Sequence, residues 1–145
     1  MDERSEFTYN DRELLEEKRT YNNNGSLKGT TTFEYNDNKD VIRVTEKNES
    51  GKVVSEVISS YDERGNNTER IIRDFHSRKV CFTYDENDNC ITEELFDEHG
   101  NLSMKSTYEY DESNNLIMET GYLLDSGRSG MNGNSTSRFE YVFWD

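Results

Sequence analysis

Aromatic residues recur along the sequence at Tyr9, Tyr21, Tyr35, Tyr61, Phe75, Tyr84, Phe96, Tyr110 and Tyr122, and Lys47 fills the equivalent slot in "KNESGKV". The steps are 12 or 14 residues, except for one of nine between Phe75 and Tyr84. Each aromatic opens a short polar stretch, as in "YDERGNN" at 61–67 and "FDEHGNL" at 96–102. Self-similarity at a near-constant period marks a repeat architecture.

The polar stretch reads as a turn. Asp62 suits the first position of a type I turn, where its carboxylate accepts a local backbone N–H, and Gly65 supplies the left-handed residue that closes a three-residue hairpin loop. In that register the shoulders of each turn face each other: Tyr9 with Leu15, Tyr21 with Leu27, Tyr35 with Val41, Tyr61 with Asn67, Phe96 with Leu102 and Tyr110 with Leu116. An aromatic opposite an aliphatic residue contributes about 0.2–1 kcal/mol per pair. Glu13 and Lys39 stand where glycine is wanted, so those two turns either differ or hold a non-glycine residue under strain in the shared geometry.

Side chains alternate faces along a strand, so steps of 12 or 14 place every aromatic on one common face. The step of nine keeps that phase if "FHSRKV" closes through a two-residue loop at Ser77-Arg78 that pairs Phe75 with Val80. The pattern therefore predicts an all-β antiparallel meander of about eleven strands, twisted and rolled or partly closed, running from residue 7 to 144 as a single domain over 1–145. "RELLEEKR" at 12–19 holds the best helix formers, but it lies between two aromatic slots in phase with the rest and reads as strand. The Gly/Ser/Asn-rich stretch 123–138 breaks the pattern and reads as a flexible loop before a last strand at 139–145.

Between the aromatic and aliphatic rows, Arg19, Arg43, Thr45, Glu69, Arg73 and Glu94 fall on the same face by spacing. They suit cross-strand ion pairs on a flat, solvated sheet. If the sheet rolls, they instead line a polar groove walled by tyrosines, with Arg43, Arg73, Glu94, Tyr108 and Tyr110 as candidate binding residues, the chemistry by which sugars and peptides are held. On the other face Ile42, Val44, Val54, Ile58 and Ile72, with Ile91 and Leu95, would form an apolar patch that needs a cover. A partner protein, a second copy of the chain or the C-terminal segment would serve.

Composition narrows the function classes. With 17 Lys and Arg against 31 Asp and Glu, the net charge is −14, which disfavours nucleic-acid phosphates and anionic lipid as partners. At 30% hydrophobic residues the core should be thin, yet 12% aromatics at regular spacing and no proline argue against disorder. No apolar run is long enough to span a bilayer. "MDERSEF" carries no apolar segment, so a native Met1 implies the cytoplasm, whereas a removed signal peptide would place the protein at the cell surface or outside. His76 and His99 lie in separate turns without metal-ligand spacing. "DENDN" at 85–89 echoes a calcium loop but lacks its glycine and its terminal glutamate. Cys81 and Cys90 fall on opposite faces, Cys81 opposite Glu93, so no disulfide is expected. No cofactor, metal or catalytic constellation is expected either.

Aromatic–Asp–x–x–Gly–Asn–Leu, carried by Phe96-Asp97-Gly100-Asn101-Leu102 and by Tyr61-Asp62-Gly65-Asn66, resembles the YD repeats of bacterial Rhs and wall-associated proteins. The resemblance implies winding antiparallel sheets that serve as shells or surface modules without catalysis, with sugar binding as a proposed role. A closed shell needs many more strands than this chain supplies. The expectation is therefore a non-catalytic protein-binding module, an acidic inhibitor or immunity-type protein being one instance, with a carbohydrate-binding module using the tyrosine-walled groove as the alternative.

Overall fold

The computed structural model describes residues 4–124 and 131–139. They form β1 (Arg4–Tyr9), β2 (Leu15–Tyr21), β3 (Leu27–Tyr35), β4 (Val41–Asn48), β5 (Val53–Tyr61), β6 (Asn67–Arg73), β7 (Ser77–Tyr84), β8 (Cys90–Phe96), β9 (Leu102–Tyr110), β10 (Leu116–Leu124) and β11 (Met131–Arg138). No helix occurs among the described residues. The strands lie in one sheet in chain order, with β1 and β11 outermost. The all-β antiparallel meander of eleven strands is thus as expected, and among the described residues β1 and β11 do not pair with each other. Of the outer strands, RSEFTY carries charges at Arg4 and Glu6 beside the exposed Phe7 and Tyr9, and MNGNSTSR is mostly small and polar; edge charges and small polar residues discourage further pairing. By contacts the chain divides into two units, Met1–Gly65 with Arg70–Ser77, and Asn66–Glu69 with Arg78–Asp145.

The core is thin. Val80, 8% exposed, is the buried hydrophobic residue among those described, and no large side chain is fully withdrawn from water. Backbone pairing and turn chemistry therefore carry much of the specification. In seven hairpins, from Asn10–Leu14 to Asp111–Asn115, the first turn residue's N–H donates to the fifth residue's carbonyl at 2.9–3.0 Å. The fourth residue adopts positive φ, whether glycine (Gly25, Gly51, Gly100) or not (Glu13 at 60°, Lys39 at 73°, Asp88 at 66°, Asn114 at 62°). Of the two alternatives the sequence leaves open, the turns at Glu13 and Lys39 take the shared geometry. The pairing around them imposes the left-handed residue in place of glycine.

The Asp or Asn that opens the turn caps it. Asp97 Oδ1 accepts the N–H groups of His99 (2.9 Å) and Asn101 (2.8 Å), and Asp111 Oδ1 those of Ser113 (2.8 Å) and Asn115 (2.9 Å). The Asn101 N–H, with further help from its side chain and the His99 N–H, holds the Asp97 carboxyl below its ordinary pKa. Because the folded-state pKa is depressed, this stabilisation is complete above the unfolded carboxyl value of about 3.9 and is lost as pH falls through the lower, folded one. Asn10 makes the same pair of bonds to Arg12 and Leu14 without a titrating group. Asp97→Asn should therefore keep the turn and flatten the fall in denaturant midpoint as pH drops from about 5 to below the ordinary carboxyl value of about 3.9. A variant that follows the parent's acid profile would show that this aspartate does not contribute to it.

The predicted shoulder pairs Tyr9–Leu15, Tyr21–Leu27, Tyr35–Val41, Phe96–Leu102 and Tyr110–Leu116 all form. One residue further on, every one of these hairpins shifts register: Thr8 pairs with Glu17, Thr20 with Gly29, Glu34 with Arg43, Leu95 with Met104 and Glu109 with Met118. An extra residue (Glu16, Lys28, Ile42, Ser103, Ile117) is inserted each time. Such a bulge reverses the phase of everything after it. The common aromatic face is consequently not formed. Tyr9, Tyr35 and Tyr61 share one face and Tyr21 takes the other, where its hydroxyl donates to Glu6 at 2.8 Å. In the second unit Tyr84 and Tyr110 share a face opposite Phe96.

Tyrosine at one end of the sheet has a specific use. Tyr35 donates to the carbonyl of Leu15 (2.8 Å), Tyr61 to that of Val41 (3.0 Å), Tyr84 to that of Asn67 (2.8 Å) and Tyr110 to that of Cys90 (3.0 Å). Leu15, Val41 and Cys90 are the residues paired with the preceding tyrosine of that end, so each phenol ties its own hairpin to the one before. The opposite end carries Tyr21, Lys47 and Phe96 in the same slot, and there the Tyr21 hydroxyl donates to the Glu6 side chain and not to a neighbouring hairpin's carbonyl.

Two segments differ from their sequence-based assignment. β7 begins at Ser77, and Asp74 Oδ1 accepts the His76 N–H at 3.1 Å, so the sixth hairpin turns at 74–76 and not at Ser77-Arg78. Phe75 sits at the tip, 97% exposed, instead of pairing with Val80. Residues 131–138, read as the end of a flexible loop, form β11 against β10, from Met118–Arg138 to Leu124–Met131. Its small polar side chains are tolerated because an outer strand is held by backbone pairing on one edge. Residues 125–130 lie outside the described residues, as do 140–145 of the proposed strand 139–145; its first residue, Phe139, donates its N–H to the Ile117 carbonyl at 2.9 Å.

Candidate binding trough

On β8 to β11, pairing sets side chains in rows that run across the strands. One row holds Glu93, Ser106, Gly121 and Ser135; the next holds Tyr108 and Glu119; the row on the other side holds Leu95, Met104 and Leu123. All three share the face of Tyr84 and Tyr110 by alternation. The middle row is short at Ser106, Gly121 and Ser135, and its neighbours are tall. A trough of about 480 Å³ results, lined by Glu93, Met104, Ser106, Tyr108, Glu119, Gly121, Tyr122, Leu123 and Ser135. Its floor is tight: a Cβ on Gly121 would lie 3.0 Å from Ser135 Oγ. Ser106 is 7% exposed, while Leu123 on the apolar wall is 58% exposed.

Burial raises the Tyr108 phenol above its ordinary pKa; the Ser106 hydroxyl bond opposes this, and the Glu93 and Glu119 carboxylates add to it. Tyr108 is thus a neutral donor, directed at Glu93 Oε2 over 3.4 Å. Among the described residues no lysine or arginine forms an ion pair with Glu93 or Glu119. On the opposite face two acids have lysine partners: Lys105 Nζ lies 2.7 Å from Glu94, and Lys79 3.4 Å from Glu69. The trough therefore offers two carboxylates and a phenol beside an apolar wall, arranged to accept N–H donors carried on an aliphatic stem.

The candidate binding residues are only partly brought together. Arg43 and Arg73 share Glu56, at 2.9 and 2.7 Å, and Arg43 also approaches Glu34 at 3.6 Å, in the ion-pair arrangement expected of a solvated sheet. Glu94 belongs to the other unit and faces away from Tyr108, because Ser103 is the extra residue where β8 turns into β9. Tyr108 and Tyr110 do share a face, but Tyr110 is committed to the Cys90 carbonyl. The tyrosine-walled groove with Glu94 inside it is not formed. Tyr108 alone of the five lines the trough, and its acidic neighbour is Glu93.

The apolar patch is not formed either. Val44 pairs with Phe33 and Val57 on one face, Ile58 pairs with Arg43 on the other, and Ile42 and Val54 are the extra residues at two bulges. Ile72, next to Arg73, points away from the face of Glu56. Cys81 and Cys90 are free thiols on opposite faces, with burial the main cause raising each pKa. Cys81 pairs with Glu94, not Glu93, through the bulge at Ile91. His76 and His99 are exposed turn residues. Asp85, in the calcium-like stretch, spends its Oδ1 on the N–H groups of Asn87 and Asn89, both at 2.9 Å. Glu93, Ser106, Glu119 and Gly121 escaped the sequence reading. Gly121, an isolated glycine among strand residues, was the available signal.

No family model and no curated protein matches this chain. Among solved structures it is similar to TcdB2-TccC3, with a TM-score of 0.68 and 16% identity over 91% of this chain and 7% of that one. A porin-like protein from Bacteroides uniformis aligns with a TM-score of 0.48 and 17% identity over 92% of this chain and 52% of that one. A Bacteroides fragilis protein with unknown function gives 0.28 and 12%, over 94% and 92%. The chain thus spans a small fraction of the first and about half of the second. At this identity the likeness to TcdB2-TccC3 is one of fold.

Proposed function

We propose that this chain is a non-catalytic protein-binding module built from YD-like hairpin repeats, with an acidic inhibitor of the immunity type as one instance. The observation that carries the reading is the uneven neutralisation of the second unit. Glu94 and Glu69 have lysine partners, while Glu93 and Glu119, in the trough, have no ion pair among the described residues. Together with a net charge of −14, this favours a basic partner and rapid, salt-sensitive association.

The test is capture by the immobilised protein from a lysate of its source cell, at about 50 mM and about 500 mM salt, where screening lengths differ severalfold. A basic protein retained at low salt and released at high salt is expected. Retention of no protein, or of one indifferent to salt, would refute the reading. A glycan array on which the parent binds and Tyr108→Ala does not would replace it with carbohydrate binding, the reading that the phenol beside Glu93 and Ser106 otherwise supports.

A further inference from the structure

We infer that the trough on β8–β11 receives a single lysine or arginine side chain of a protein partner, its aliphatic stem against Met104 and Leu123 and its cationic head between Glu93, Glu119 and Tyr108. The inference rests on the protein-binding reading and adds to it the chemistry of the contact. Three features select the occupant. The short Ser106–Gly121–Ser135 row makes a slot on β9 and β10, where Met104 and Leu123 stand on one side and Tyr108 and Glu119 on the other, four residues apart along the strand and so about 13 Å between their Cα atoms. That admits a narrow chain and excludes a broad surface. The walls differ, apolar on one side and acidic on the other, as a long cationic side chain requires. A second copy of this chain would bring its own −14 against −14, so a basic partner is favoured over self-association.

The probes are n-butylguanidinium and n-butylammonium, with n-butanol as the uncharged control and chitotriose for the glycan alternative. Each is titrated into the full chain while the amide resonances of Ser106, Gly121 and Ser135 are followed by NMR. Both cations should shift these amides saturably, and n-butanol much less. Glu93→Gln with Glu119→Gln should weaken cation binding about tenfold, the scale of two part-exposed charge contacts, while Glu94→Gln on the opposite face leaves it within about twofold. Leu123→Ala should weaken n-butylguanidinium but not methylguanidinium, which has no stem to pack. The Glu→Gln changes are near-isosteric at half-buried positions and Leu123→Ala trims an exposed side chain, so the pairing should stay intact, which denaturant midpoints check.

Equal cation titration of parent and double variant would overturn the inference, as would n-butanol matching the cations or chitotriose alone shifting the amides. The lysate capture separates the two levels of the reading. If the double variant captures the same basic protein with the same salt response, the trough inference fails and protein binding stands. If the cations titrate the trough but no protein is captured, protein binding fails and the cation chemistry stands.

Discussion

Gly29→Val is expected to destabilise the protein by about 2–3 kcal/mol, the upper part of the usual range for forced overpacking. Gly29 pairs with Thr20 on β2 and with Asn48 on β4, and a Cβ placed on it would lie 2.7 Å from the carbonyl oxygen of Lys47. That oxygen is backbone, in the β3–β4 ladder, and cannot rotate away as a side chain would. Relief requires the strands to part at the bulge that follows Tyr21. Since the clash begins with the Cβ, Gly29→Ala should show most of the same loss, and Gly29→Asn no less. Denaturant midpoints of the three variants check this. An alanine variant as stable as the parent would mean the two strands are further apart at this point than the structure places them.

Gly100→Val should cost about 1–2 kcal/mol for a different reason, the strain of a β-branched residue at positive φ. Here φ is +81° and a Cβ would meet nothing within 4 Å, so the backbone conformation alone is at stake. The same holds at Gly65, where φ is +90°. Asparagine separates the two mechanisms. Asn114 already occupies the equivalent turn position at 62°, so Gly100→Asn should lose little, whereas asparagine at Gly29 should lose as much as alanine. In reverse, Lys39→Gly and Glu13→Gly should each raise stability by about 0.5–1 kcal/mol, the relieved strain less the added unfolded-state entropy. If Gly100→Val unfolds no more easily than the parent, the left-handed turn residue is not what closes these hairpins.

What was legible in the sequence is local. A turn and its shoulders span seven residues, and Asp97, Gly100 and the Phe96–Leu102 pair interact within that span, so composition and spacing suffice to place them. Strand number, strand order and the left-handed residue at Gly65 and Gly100 all follow from it. Even the constancy of tyrosine at one end (Tyr9, Tyr35, Tyr61, Tyr84, Tyr110) was written there, although its use on the carbonyls of neighbouring hairpins shows only when they are set side by side.

Which residues share a face was decided by the tertiary structure. A bulge depends on how two strands fit their neighbours on both sides, and no residue type marks it: the extra residue is Glu16, Lys28, Ile42, Val54, Ile91, Ser103 or Ile117. Each bulge reverses the alternation beyond it, so a reading that carried one phase through the chain placed Glu94 beside Tyr108 and gathered Ile42, Val44, Val54 and Ile58 into a patch. In the folded sheet Glu94 turns to Lys105 and Glu93 takes the place beside Tyr108. The short row Ser106, Gly121 and Ser135 is likewise invisible along the chain, since its members lie about 15 residues apart and only cross-strand register sets them in line. Turn chemistry acts within a few residues and can be read from them, whereas the identity of a face is a property of the whole sheet.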